Sequence, residues 1–127
     1  MLTSGQIVQG QQVTPVFVGP VSLPASHGVC GTYVFQTFKG TSGEVLKGSV
    51  SASSSVNVYV MTATEFQAWQ LRLLPGGTCT PANTVASQLD TTSYGLDATM
   101  PVTGTYCLVI SNLSFSAVTA EITADLV

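Results

Sequence analysis

The chain has 127 residues, which is enough for one domain with a sizeable core, and its 45% hydrophobic content excludes a disordered polymer. Only 7% of its residues are charged and the net charge is −3, so it has no basic patch for nucleic acid or for an anionic membrane. Ser and Thr take the place of the usual charged surface. We therefore expect an extracellular or cell-surface location, with a virion surface as the alternative.

Residues 1–12 predict a flexible or extended arm in front of a single domain at 13–127, because they contain two glycines and few apolar anchors. The following run, Val13 to Val18, is rich in β-forming residues. Pro15 cannot donate a ladder hydrogen bond, so this strand should lie at an edge or start at the proline. If the arm serves in assembly, it extends from Met1 to about Val18, and its apolar residues are Ile7, Val8, Val13, Val16 and Val18.

The middle of the chain reads as strands. Thr32 to Phe38 is β-rich and apolar on both faces. Leu46 to Ala52 and Val56 to Met61 each alternate apolar and polar residues with a period of two, which predicts half-buried strands. Ser53 to Ser55 separates them, and we expect these two strands to form a hairpin.

The pattern then changes to a helical period. Thr62-Ala-Thr-Glu65 matches a capping box, and Phe66 and Trp69 recur at a spacing of three. Pro75-Gly-Gly77 stops the helix. One short helix therefore follows the strand, with its aromatic residues on the inner side.

The last part of the chain returns to strands. Tyr94 to Met100 alternates, and Gly104 to Ser111 and Val118 to Leu126 predict an antiparallel hairpin that closes the fold. About seven to eight strands at roughly ten-residue spacing, with one short helix, indicate an all-β fold, an antiparallel β-sandwich. No run approaches the ~18 to 20 apolar residues of a membrane-spanning helix, so we expect no membrane insertion.

Two stretches carry a resemblance to a known family. They are Val56-Asn-Val-Tyr-Val-Met61 with Glu65-Phe-Gln-Ala-Trp69, and Pro101-Val-Thr-Gly-Thr-Tyr-Cys-Leu-Val-Ile-Ser-Asn112 with its following strand. In this respect residues 13–127 resemble exported bacterial and archaeal β-sandwiches similar to the Golgi-dynamics (GOLD) type domain. The resemblance implies a surface or interaction module and carries no catalytic residue. The three cysteines and the Gln-rich first dozen residues depart from the pattern.

The cysteines predict one disulfide. Cys30 and Cys79 both flank Gly and Pro loop signals, whereas Cys107 lies inside a strand, so Cys30 is expected to pair with Cys79. His27 and Cys30 could serve as a base and a nucleophile, or they could form a zinc site together with Cys79 and Cys107. No C-x-x-C pair accompanies it, and the six carboxylates are scattered. We expect no enzyme activity, no metal and no cofactor.

Two further positions are candidate sites. Asn112-Leu-Ser114 is an N-glycosylation sequon on an expected exposed turn. Tyr59 and Trp69 could form an aromatic platform for a sugar ligand, although a Trp at helical spacing from Phe66 is more often part of a core.

These features favour a structural or interaction module on an outer surface. The first hypothesis is an assembly subunit of a filament, surface layer or virion, in which the amino-terminal arm adds a strand to a neighbouring copy and makes a homo-oligomer or polymer. The alternative is a monomeric extracellular module that binds a glycan or a protein.

Overall fold

The computed structural model describes residues 14–25, 32–72, 81, 83–112 and 116–127. These residues form six strands and one helix. The elements are β1 (Thr14–Leu23), β2 (Thr32–Gly40), β3 (Val45–Thr62), α1 (Ala63–Arg72), β4 (Ala86–Thr99), β5 (Gly104–Asn112) and β6 (Val118–Leu126). In the described part of the chain, no helix is long and apolar enough to span a membrane.

All six strands belong to one antiparallel sheet in the order β1-β6-β3-β5-β2, with β4 added on β3. The 18-residue β3 is the central element. Its first half pairs with β6 and its second half with β5, while β4 pairs with both halves. The result is a mostly β fold in which an antiparallel sheet curls upon itself. The antiparallel strands and the short helix are confirmed, but a β-sandwich of seven to eight strands is not.

The hairpin expected between Leu46 to Ala52 and Val56 to Met61 is wrong, because both runs belong to the continuous strand β3. The serines between them lack the Gly, Asn or Pro chemistry of a tight turn. Instead, the ladder between β3 and β4 shifts register between Ser51 and Val56, so the chain absorbs the irregularity as a bulge. One strand thus replaces two.

The closing hairpin is also wrong, although both of its strands exist. In the described register β5 and β6 each pair with β3 and not with each other. The second neighbour of β6 is β1, whose Val18 lies opposite Thr123. Therefore β6 is an interior strand, and β1 occupies the edge that Pro15 predicts.

The sheet has two faces with different cover. The inner face of the curl carries the main hydrophobic core, to which every strand contributes, with the largest contributions from β3, β5 and β6. The outer face carries a second, smaller cluster beneath α1. Its members are Tyr59, Met61, Phe66, Trp69, Cys107 and Val109.

Helix α1 forms where the sequence predicts it. The Glu65 backbone N–H donates to the Thr62 hydroxyl over 3.1 Å, which is the amino-terminal cap expected from the capping box. Phe66 and Trp69 then point to the sheet and are buried. The helix consequently covers the outer face over β5 and the second half of β3.

Candidate functional site

The outer face carries a group of aromatic rings where β2 meets α1. We call Tyr33, Phe35 and Phe66 the aromatic patch. The ring centroids of Phe35 and Phe66 are 4.7 Å apart, and Tyr33 lies 6.2 Å from each of them. Trp69 supports the patch from below, with its ring centroid 4.9 Å from that of Tyr33. These separations are typical of rings in direct packing contact.

Phe35 is the member of the patch that reaches solvent, with 47% of its surface exposed. The helix is fixed against the same strand, since the Gln70 side-chain amide donates a 3.0 Å hydrogen bond to the Tyr33 hydroxyl. The next helical residue, Leu71, is 70% exposed. The strand and the helix therefore each expose one large apolar side chain.

The patch borders a sheet edge. All nine residues of β2 pair with β5 without a register shift, and β2 pairs with no other described strand. The side chains of Tyr33, Phe35, Thr37 and Lys39 share the outer face by the alternation of the strand. The end of β1 lies near the start of β2, where the Thr32 hydroxyl donates to the Pro24 backbone oxygen over 2.7 Å. A partner that contacts Phe35 thus also meets the part of the edge that continues toward Lys39, which pairs with no described strand.

Tyr59 and Trp69 do not form a ligand platform. Both side chains are buried beneath α1, with ring centroids 6.1 Å apart, so neither ring can stack on a sugar. Burial raises the pKa of the Tyr59 phenol, and the nearby Asn57 side chain partly opposes this rise. The Tyr59 hydroxyl makes no hydrogen bond of full geometry to a described residue. The core interpretation of these two residues is the one that the structure supports.

Asn112 is not on an exposed turn. It ends β5 and is buried, and its side-chain amide donates to the backbone oxygens of Pro24 at 3.0 Å and Ser116 at 2.9 Å. A glycan on this nitrogen would have to displace both contacts. The expectation that the sequon lies on an exposed turn is therefore wrong. The Asn112 amide instead links the end of β5 to the segments after β1 and before β6.

The predicted disulfide between Cys30 and Cys79 lies outside the described residues, as does His27. Cys107 is a free, buried thiol on the outer face of β5. Burial raises its pKa from 9.0 to about 12, opposed by a hydrogen bond with the Gln36 backbone. Such a thiol stays protonated and inert at neutral pH.

In the part of the chain that the structure covers, no three His, Cys, Asp or Glu side chains come together as a metal site would require. On the part of the outer face that α1 does not cover, charged groups of opposite sign lie on neighbouring strands. Lys47 of β3 is in register with Asp97 of β4 and with Asp125 of β6. This arrangement of opposite charges on neighbouring strands stabilises a solvated face modestly.

Phe35 is the surface residue that the sequence reasoning did not single out. The signal was present in part, since Thr32 to Phe38 is apolar on both faces. An edge strand, however, can expose one of its apolar faces, and the sequence does not reveal that β2 is an edge.

No family model matches the chain, and no curated protein matches its sequence. The likeness to GOLD-type domains thus stays a sequence-based expectation. Among solved structures, the chain is similar to the crystal structure of Aeromonas hydrophila PliG, a periplasmic lysozyme inhibitor of g-type lysozyme. The match has a TM-score of 0.47 and 14% sequence identity, and it covers 92% of this chain and 91% of that one.

The hypothesis of an assembly subunit is wrong. The physical reason is that Val16 and Val18 of the supposed arm lie in β1, and β1 pairs with β6 of the same molecule, with Val18 opposite Thr123 and Val16 at a register shift. The arm of a neighbour was expected to pair with the last strand of the chain, β6. That strand already has β1 and β3 of its own molecule on its two sides. Ile7, Val8 and Val13 lie outside the described residues.

Proposed function

We propose that the protein is a monomeric extracellular binding module that recognises another protein through the aromatic patch. The observation that carries the proposal is the exposure of Phe35 on a regular strand, directly against the Phe66 ring. Phe35 is held by its ladder with β5 and by ring contacts, so little side-chain freedom is lost when a partner covers it. Rigid, half-exposed aromatic residues are the type of anchor from which binding energy arises in protein interfaces.

A protein ligand fits this surface better than a glycan. Sugar-binding sites combine an exposed ring face with polar groups that fix the hydroxyls. Here the Phe35 ring is tilted by 41° against Phe66 and by 39° against Tyr33, and the Tyr33 hydroxyl already accepts a hydrogen bond from Gln70. Phe35 adjoins the rings of Tyr33 and Phe66 and the backbone of β2, and a combination of hydrocarbon and strand backbone matches a polypeptide.

The proposal includes no catalysis. Phe35 and Phe66 of the patch carry hydrocarbon rings, and the Tyr33 hydroxyl accepts a hydrogen bond from Gln70, so the proposal assigns no nucleophile, base and orienting group to this surface. The low charge and the hydroxyl-rich sequence support an extracellular setting.

The test compares Phe35→Ala with Leu89→Ala. Leu89 lies on β4 and is 49% exposed, so its truncation removes a similar amount of exposed apolar surface away from the patch. We expect the wild type and Leu89→Ala to retain a common protein from an extracellular fraction. With that protein purified, Phe35→Ala should weaken binding by about tenfold or more in surface plasmon resonance.

The control for folding is the thermal unfolding curve of each variant. Equal affinities of Phe35→Ala and Leu89→Ala for the purified partner would contradict the proposal, as would retention of no common protein. If the wild type and Leu89→Ala bind a sugar on a glycan array and Phe35→Ala does not, the ligand of the patch is a sugar and not a protein. An elution volume of a dimer or polymer in size-exclusion chromatography would refute the monomeric state.

A further inference from the structure

The unpaired backbone edge of β2 indicates how the partner is bound. Resting on the proposed function, we infer that the partner docks as an extended segment that adds a strand to the edge of β2, with an apolar side chain beside Phe35 and an acidic one beside Lys39. The juxtaposition that carries this inference is an edge that pairs with no strand among the described residues and that runs from the aromatic patch to Lys39.

The three strands that lack a second neighbour in the described sheet differ in how well their edges could accept another strand. In β1, Pro15 and Pro20 lack N–H donors, and the pairing shifts between Pro15 and Phe17. Prolines and bulges of this kind protect an edge against added strands.

The β4 edge is protected in a different way. Asp90 has a positive φ of 55°, which breaks the extended conformation within the strand. Its N–H donates to the Asn57 side chain, and the pairing of β4 with β3 is irregular nearby. By contrast β2 has no proline, no bulge and no positive φ, so its edge is the regular one among the three.

The backbone hydrogen-bonding groups along the edge of β2 determine what kind of partner can bind there. Along an antiparallel pair, alternate residues of an edge strand direct both N–H and C=O away from the neighbouring strand. A row of alternating donors and acceptors at this spacing is complementary to another extended backbone. The Thr37 carbonyl of β2 accepts a 3.2 Å hydrogen bond from the neighbouring Gln36 side chain, as a backbone acceptor at a strand edge can do in place of a ladder bond.

The outer-face side chains set the sequence that is preferred. Phe35 and Lys39 are both exposed and lie four residues apart on the same face of β2. Thr37 between them is neutral, so Lys39 is the one charge that this strand presents. A segment with an apolar and an acidic residue four positions apart therefore places each beside its complement.

The experiment uses the full chain as bait for phage-displayed random peptides a little longer than β2, with counter-selection on Phe35→Ala. The expected consensus has an apolar and an acidic residue four positions apart. A second selection on Lys39→Glu should exchange the acidic residue for a basic one and keep the apolar residue. Leu89→Ala serves as the matched bait and should select the wild-type consensus.

Backbone pairing is then measured on the selected peptide. N-methylation of successive peptide residues should weaken binding at every second position, by about tenfold. In the NMR spectrum of the protein, amide exchange in β2 should slow at alternate residues and stay unchanged in β1 and β4.

The outcomes separate the two proposals. A peptide that loses binding on Phe35→Ala but shows no period of two in N-methylation or amide exchange refutes strand addition and leaves protein binding intact. Protection of β4 or β1 also refutes it. If no peptide distinguishes the wild type from Phe35→Ala, strand addition fails, and the proposed function is decided separately by the affinities of Phe35→Ala and Leu89→Ala for the purified partner. Slowed exchange in β2 that depends on the concentration of the protein alone would mean that the occupant is a second copy.

Discussion

The two halves of β3 show how one strand can serve two environments. The first half, up to about Ala52, alternates between buried inner residues and exposed outer ones, whereas Val56 to Met61 is buried on both faces. The difference lies in the cover of the outer face. Lys47, Ser49 and Ser51 face water, but Asn57, Tyr59 and Met61 lie on the side covered by α1.

We call the first part, with β6, the open half and the second part, with β5 and α1, the covered half. The comparison teaches that a single helix changes which residues the sheet can use. The covered half can hold Trp69 and Cys107 on its outer face because α1 excludes water there. At the border of that cover, on β2, the aromatic surface continues into solvent, and this is where the proposed binding site lies.

The largest expected effect comes from removing the centre of the covered half. Trp69→Ala should lower the free energy of unfolding by about 3–5 kcal/mol, because a fully buried indole leaves a cavity between α1 and the sheet. Urea unfolding followed by circular dichroism measures the change. Leu71→Ala in the same helix is the control, and its high exposure predicts less than about 0.5 kcal/mol. Similar losses in both variants would contradict the assigned helix orientation.

In the open half, the backbones of β3 and β6 lie close together at Gly48. At Gly48 an added Cβ would overlap the Thr123 carbonyl, so Gly48→Ala should destabilise by about 1–3 kcal/mol. Gly95 lies on the neighbouring strand with no atom within 4 Å of such a Cβ, and Gly95→Ala is the matched control. Unfolding curves that rank the two variants in the opposite order would refute the register of β3 with β6.

The covered half also predicts a dependence on pH. Because the pKa of Cys107 is raised from 9.0 to about 12, the folded state binds the thiol proton more tightly than the unfolded state does. This contribution is complete below pH 9 and is lost as the pH rises toward 12. The free energy of unfolding should fall over that window, and less steeply in Cys107→Ala.

The burial of Cys107 also predicts that its thiol reacts slowly with alkylating reagents. A thiol-reactive maleimide should label it only under unfolding conditions, as read by mass spectrometry of peptides. Rapid labelling of Cys107 in the native protein would show that α1 does not close over β5.

The smallest effect is expected on the open outer face. Lys47→Ala removes the charge between Asp97 and Asp125 and should change the free energy of unfolding by about 0.5 kcal/mol or less, since Lys47 and Asp97 are exposed and Asp125 is only partly buried. Added salt should reduce the difference further. A loss above about 2 kcal/mol would mean that this face is covered.

Some elements of the fold were predictable because their signals are local. The alternation of Val118 to Leu126 predicts β6, and the Thr62 cap with Phe66 and Trp69 predicts α1 and its buried side. The sequence reasoning failed where two separate segments had to choose each other. It joined β5 to β6 because they are consecutive, but β3 lies between them in the sheet.

The candidate site was less predictable than the fold. Tyr59 and Trp69 drew attention as aromatic residues, yet α1 buries them, and Phe35 carries the exposed ring. Asn112 was expected on a turn but its amide is held by the backbone of two other segments. Each of these outcomes depends on what packs above the residue, which the residue's own neighbours in sequence do not reveal.

The sequence by itself determined the helix, the alternating centres of most strands and which of their faces are apolar, because side-chain period and capping are set by adjacent residues. The tertiary structure alone decided the order of the strands, the continuity of β3 and the exposure of Phe35. The physical reason is that strand pairing satisfies backbone groups, which are the same in every residue except proline. Sequence patterns therefore specify a strand far better than they specify its partner.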